Sequence, residues 1–131
     1  MKVLALDYGS ARTGVAVSDP TGTVARPVGV VERAATEAGL ARLAELVRAE
    51  SPERIVVGLP LTLRGERGEQ ARASERFAAQ LRRTVDVPVV LFDERFTTDL
   101  AEQTSAASAP EDARAAAHLL SSYLAWSGAA H

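Results

Sequence analysis

Cysteine is absent from the 131 residues. Disulfides, thiolate metal centres and a cysteine nucleophile are therefore excluded, and the chain suits a reducing cytoplasm. Long apolar runs are missing as well. None approaches the roughly 18–20 residues of a membrane span. The four apolar residues that follow Lys2 are too few for a signal peptide. The expectation is a soluble, cytoplasmic protein. Lysine is also scarce, Lys2 being the only one, and the formal net charge is −2. That balance runs against a nucleic-acid binder. The bare sum overstates the negative field, however, if some of the acids hold a metal ion. The stretch from 64 to 83 also gathers Arg64, Arg67, Arg72, Arg76, Arg82 and Arg83 against Glu66, Glu69 and Glu75. Length and an apolar fraction of 47% fit one domain spanning residues 1–131 with a proper core.

Periodicity sets out the elements. Val3–Asp7 reads as a strand buried on both faces. Gly14–Ser18 reads as a second strand, followed by the turn signal Asp19-Pro20-Thr21-Gly22. Val24–Val31 is a third, with Pro27 requiring an edge position or a bulge. Thr36 can cap a helix that buries Leu40, Leu43, Ala44 and Val47. Arg54–Gly58 is a short buried strand, and Gly58 to Gly68 is a loop. Glu69–Arg83 is a helix that buries Ser74, Phe77, Ala78 and Leu81. Pro88–Phe92 is the fifth strand. Thr97 or Thr98 caps a short helix to about Thr104, and Ser105–Ala109 is a small, mobile linker. The last helix opens at Pro110 and carries the stripe Ala113, Ala116, Ala117, Leu120, Tyr123 and Leu124 to a stop near Gly128. This order predicts an α/β protein with three layers, α/β/α, on a five-stranded mixed sheet.

Three acids sit at element ends. Asp7 closes the first strand, Glu94 follows the fifth, and Asp112 lies in the first turn of the last helix. An ionised carboxylate at a buried strand end is costly unless it has a partner. Converging carboxylates hold hard cations such as Mg²⁺ or Mn²⁺, and two such ions about 3.5–4 Å apart can cleave a phosphodiester. Each acid also has a plainer reading. Asp7 can cap a hairpin turn, Glu94 can belong to a helix cap with a surface ion pair, and Asp112 can answer the helix dipole. Its spacing to Ala116 and Leu120, however, turns Asp112 toward the sheet. Glu111 is the better purely capping acid. Arg12, in the loop after Asp7, could clamp a phosphate. The loop 58–68 is either an anion-binding connector at a sheet's carboxyl end or a flexible link. His118 falls on the polar face of its helix and reads as a surface residue. Tyr123 and Trp126 read as anchors of that helix.

Together these segments resemble the YqgF (RuvX-like) family, the candidate pre-16S rRNA nucleases and Holliday-junction-resolvase-like proteins. The resemblance rests on four stretches in order. They are Leu6-Asp7-Tyr8-Gly9 through Arg12-Thr13-Gly14 to Asp19, Val56-Val57-Gly58-Leu59-Pro60 with Gly65 and Gly68, Asp93-Glu94-Arg95-Phe96-Thr97-Thr98, and Asp112 with Ala115-Ala116 and Leu119 to Leu124. It implies a ribonuclease H-like fold with Asp7, Glu94 and Asp112 as the catalytic, metal-holding triad. It implies hydrolysis of phosphodiester bonds with Mg²⁺ or Mn²⁺, as a pair of ions, in maturing the 5′ end of 16S rRNA. Arg12, Arg64, Arg67, Arg95 and Thr97 would contact nucleic acid, with RNA favoured over DNA. Family members often carry a longer Gly- and Lys/Arg-rich stretch before the last Asp. The short, uncharged Ser105–Ala109 here implies a weaker grip from that side.

Two alternatives stay within reach of the same residues. One is a Holliday junction resolvase acting on DNA, which would need two active sites on one junction and therefore a homodimer. The other is a non-catalytic RNA- or ribosome-associated protein on a nuclease fold. An actin-like ATPase or sugar kinase shares the opening strand and Asp-x-Gly loop, but such chains need a second domain that 131 residues cannot supply.

Overall fold

The computed structural model describes residues 1–97 and 109–129. The helix expected from Thr97 or Thr98 to Thr104 and nearly all of the Ser105–Ala109 linker lie outside them. The described elements run β1 (Val3–Asp7), β2 (Arg12–Ser18), β3 (Ala25–Glu32), α1 (Glu37–Glu50), β4 (Arg54–Leu59), α2 (Glu69–Thr84), β5 (Val89–Asp93), a short 3-10 helix (Glu94–Phe96) and α3 (Glu111–Ala129). The five strands form one sheet in the order β3-β2-β1-β4-β5. Strands β1, β2 and β3 pair antiparallel, while β4 runs parallel to both β1 and β5.

Side chains alternate across the sheet with period two, and each face has its own core. Leu4, Leu6, Val15, Val17, Ile55 and Val57 meet Leu43 and Val47 of α1 and Phe77, Ala78 and Leu81 of α2. Val3, Ala5, Ala16, Val56 and Phe92 meet Ala116, Ala117, Leu119, Leu120 and Tyr123 of α3. Each fully buried large apolar side chain contributes roughly 1.5–3 kcal/mol, so a sheet covered on both faces is stable where a bare one is not. The result is a three-layer α/β/α fold with a mixed sheet.

Local chemistry explains the boundaries. Thr36 caps α1 by accepting a hydrogen bond from the Gly39 amide at 3.1 Å. Ser51 ends α1 in the left-handed region at φ 49°. Asp19 closes the β2–β3 turn by accepting from the amides of Thr23 and Val24 at 2.7 and 2.9 Å and from the Thr21 hydroxyl. Those donors hold its carboxyl well below the usual range, the Thr21 hydroxyl foremost. Pro27 lies on the edge strand, where the pairing register also shifts opposite Val15/Ala16.

Several boundaries and faces differ from the sequence reading. Val24 is exposed and precedes β3. Leu124 is half-buried, and Leu119 takes a buried place beside Leu120. α3 continues through Gly128 to Ala129. His118, expected at the surface, is half-buried, and its Nε2 is shut off from solvent with no hydrogen-bond partner among the described residues. The helical wheel places His118 beside Arg114 and Ser121, but a wheel does not show how closely a helix of alanines settles on its sheet.

Candidate active site

Two carboxylates face each other at the carboxyl end of the sheet. Asp7 is the last residue of β1, and Glu94 follows β5 directly. Strand β4 lies between them, and its Gly58 pairs with Phe92. A Cβ on Gly58 would sit 3.0 Å from Cδ and 3.2 Å from Oε2 of Glu94. The missing side chain is therefore what lets the Glu94 carboxyl fold over β4. Burial raises the Glu94 carboxyl to about 7, with the negative charges of Asp7 and then Asp93 adding to the effect. The Asp7 carboxyl is raised too, by burial first and by Asp112 second. Among the described residues no arginine or lysine forms an ion pair with Asp7 or Glu94.

Asp112 arrives from the other side of the sheet. α3 begins against the backbone of β2, and a Cβ on Gly14 would lie 1.8 Å from the Asp112 carbonyl oxygen. Only glycine at this strand position allows that approach. The Asp112 Oδ2 accepts from Arg12 Nε at 2.9 Å. Arg12 opens β2, so this contact ties the first loop to the last helix. Among the described residues no three His, Asp or Glu side chains converge as a ready metal cage.

The loop between β1 and β2 forms one wall of a cleft. Thr13 and Gly9 exchange hydrogen bonds across it, with Oγ1 donating to the Gly9 carbonyl at 3.3 Å and accepting from the Gly9 amide at 3.4 Å. Tyr8 stacks on Phe77 of α2, with ring centroids 4.5 Å apart and planes 15° from parallel. The cleft of about 560 Å³ is lined by Asp7, Tyr8, Ser10, Gln70, Ser74 and Glu94, among others. Tyr8, Gln70 and Ser74 went unnoticed as site residues in the sequence. A serine on the buried stripe of α2 was the one available signal, because a polar residue there must face something other than the apolar core.

Asp7 lies within electrostatic reach of Glu94 and of Asp112, and Arg12 binds Asp112, while Arg95 and Thr97 flank Glu94 without touching the other acids and Arg64 and Arg67 stand apart. Arg64 is exposed in the β4–α2 loop. Arg67 donates to Glu75 at 2.7 and 3.0 Å, and Arg76 to Glu69 at 2.9 Å, so two of the arginines in this stretch are neutralised by acids of α2 itself. Arg95 grips Asp93 with Nε and Nη2, the shortest contact being 2.6 Å. That grip holds the Asp93 carboxyl below its usual range. Thr97 closes the 3-10 helix, its hydroxyl donating to the Glu94 carbonyl at 2.7 Å.

This arrangement is the ribonuclease H-like fold of the resolvases. RuvC of T. thermophilus in complex with Holliday junction substrate matches with a TM-score of 0.71 at 16% identity, over 99% of this chain and 96% of that one. The fowlpox virus resolvase with its Holliday junction DNA matches with a TM-score of 0.52 at 12% identity, over 98% and 96%. At such identities the likeness speaks for the fold alone. The profile of the RuvX family, described as Holliday junction resolvase, matches residues 1–126. The chain belongs to the RuvX family. A candidate pre-16S rRNA nuclease of Chloroflexus aurantiacus is 46% identical over 101 residues, covering 77% of this chain and 66% of that protein. Another, of Maridesulfovibrio salexigens, is 44% identical over 102 residues, covering 78% and 76%. The match thus spans just under two thirds of the Chloroflexus aurantiacus relative. No helix among the described residues is long and apolar enough to cross a membrane.

Proposed function

We propose that this protein is a metal-dependent nuclease that hydrolyses phosphodiester bonds, with precursor 16S rRNA as its substrate and the cytoplasm as its place of work. One observation carries the reading: Asp7 and Glu94 are partly buried, the charge of Asp7 adds to the cost of ionising Glu94 as that of Asp112 does for Asp7, and neither has a basic partner among the described residues. Two such carboxylates side by side call for a cation. Their donors are all oxygen, which fits Mg²⁺ or Mn²⁺. Asp7, Glu94 and Asp112 would hold the metal. A bound pair of these ions supplies Lewis acidity toward phosphate oxygens and a water acidic enough to attack near neutral pH.

The chain's own residues do the rest. Asp7 and Glu94, at the ends of β1 and β5 on either side of β4, fix the position of the reacting centre against a rigid sheet. Tyr8, held flat on Phe77, keeps the cleft wall in place. Arg12 engages Asp112 through Nε, which leaves the rest of its guanidinium for a phosphate. Arg64 and Arg67, on or beside the β4–α2 loop, and Arg95 and Thr97, beside Glu94, flank the path of the strand. The names of the Chloroflexus aurantiacus and Maridesulfovibrio salexigens relatives support RNA as the substrate.

The description of the family profile favours a second reading, junction cleavage by a homodimer. The test is a side-by-side assay of labelled precursor rRNA, matched DNA and a four-way junction, each with Mn²⁺ and with chelator. Metal-dependent cutting of the RNA alone is the expected result. Symmetric cutting of the junction would favour the second reading. Intact substrates throughout, with RNA still bound, would leave a binding protein on a nuclease fold.

A further inference from the structure

A second concave surface begins two residues beyond Glu94. It lies on the α3 side of β5, the edge strand, and encloses about 470 Å³. Phe92 forms its floor. Phe96 packs on Phe92 with centroids 6.0 Å apart, and Trp126 packs on it at 5.6 Å. Among the described residues no ring contact joins Phe96 to Trp126. Two rings thus share a buried floor and leave a notch between them, and both are half exposed, Phe96 at 52% and Trp126 at 51%. Large apolar groups left so open on a small protein mark a binding surface more often than chance.

The rim is cationic. Arg54 Nη1 donates to the Tyr123 hydroxyl at 2.7 Å, and Tyr123 meets Phe92 edge-on at 5.4 Å. No carboxylate pairs with Arg54 among the described residues. The one acid on the rim, Asp93, is already taken by Arg95. The groove therefore presents flat π-faces with one uncompensated guanidinium. It follows β5 from Val90 to Asp93, roughly 10 Å at the usual strand rise. Phe96 stands only about 4 Å further along the 3-10 axis than Glu94.

We infer that this groove binds unpaired nucleotides of the strand being cut, with bases stacked against Phe96 and Trp126 and Arg54 meeting the backbone phosphate. Aromatic faces combined with a positive track are how proteins hold single strands without reading their sequence. The inference rests on the nuclease reading for its direction, since Phe96 would receive the nucleotide next to the bond at Glu94. A second copy of this chain, docked on the open edge of β5, is the competing occupant.

Trp126 is the only tryptophan of the chain, so its fluorescence reports on the groove alone. The full-length protein is titrated in EDTA, where nothing is cut, with an eight-residue oligouridylate and with an abasic ribose-phosphate oligomer of equal charge. Stacking predicts that the oligouridylate quenches Trp126 and that the abasic oligomer binds about fivefold or more weakly without quenching. Phe96→Ala and Trp126→Ala, checked for fold by circular dichroism, should each weaken oligouridylate binding by about fivefold or more. The slope of affinity against salt should stay unchanged, since no phosphate contact is lost. Binding without quenching, unchanged affinity in both variants, or no binding at all overturns the inference. So does a Trp126 signal that follows protein concentration, with doubled mass, in the absence of oligomer. A protein that cuts RNA with Trp126 silent retains the nuclease reading and loses the groove. One that quenches on oligouridylate and never cuts does the reverse.

Discussion

Replacing Glu94 with glutamine should stabilise the metal-free protein while destroying its activity. The Glu94 carboxyl rises from an ordinary 4.5 to about 7 on folding, through burial first and then Asp7 and Asp93. The folded state thus holds a proton that the unfolded state releases, and stability falls as pH climbs from 4.5 through about 7. The gap corresponds to roughly 3 kcal/mol at full strength. Glu94 is partly exposed, and water screens it, so about 1–2 kcal/mol is the expected cost at pH 8. Glutamine has the same shape and no charge to desolvate. For a domain of this size each kcal/mol moves the Tm by roughly 3–5 °C. Glu94→Gln should therefore melt about 3–10 °C above wild type in EDTA at pH 8, and the gap should close as pH falls toward 4.5. Differential scanning calorimetry across that range checks it. Equal melting at pH 8, or a variant that is less stable there, would refute the claim that Glu94 is a strained ligand awaiting a cation.

Other consequences are open to measurement. Metal binding should displace the proton from Glu94, so Mn²⁺ affinity should rise as pH climbs to about 7 and then level off. Isothermal titration in buffers of different ionisation enthalpy would read that proton directly, and a flat pH profile would contradict it. Gly14→Ala sets a methyl group 1.8 Å from the Asp112 carbonyl oxygen, which α3 can escape only by moving. A loss of about 3 kcal/mol or more in urea unfolding is expected, and an unaffected variant would mean that α3 does not rest on β2 as described. Arg12→Ala removes the guanidinium that engages Asp112. It should tighten Mn²⁺ binding while weakening RNA binding in metal-free buffer, and a parallel loss of both would show that Arg12 does not compete with the cation.

Much of this architecture is legible in the order of residues. Asp7 stands out because it follows an apolar stretch directly, and Glu94 because only Asp93 separates it from one; a charge at the end of a buried strand needs a reason. The unbroken apolar runs of β1 and β4, the Thr36 cap and the Phe77–Leu81 stripe are local signals, and the structure keeps them. What sequence does not carry is pairing at a distance. Arg12 and Asp112 are 100 residues apart, and only the close approach of α3 to Gly14 brings them together. Gly14 reads in the sequence as the first residue of a strand, whereas its use is to make room for another element. The arginines of 64–83 look like one basic face, yet Glu75 and Glu69 of α2 neutralise Arg67 of the preceding loop and Arg76 of the same helix. Tyr123 and Trp126 read as anchors of a helix. Their second use appears only once Phe92 and Phe96 are set beside them by β5.

We propose that Asp7 and Glu94 hold a metal that cuts RNA. The most direct measurement is cleavage of 5′-labelled precursor 16S rRNA by wild type, Asp7→Asn and Glu94→Gln, with Mn²⁺ and with EDTA. The account predicts cutting by wild type only with metal, and none by either variant although both fold and bind the RNA. Cutting that survives in EDTA or in Asp7→Asn would contradict it.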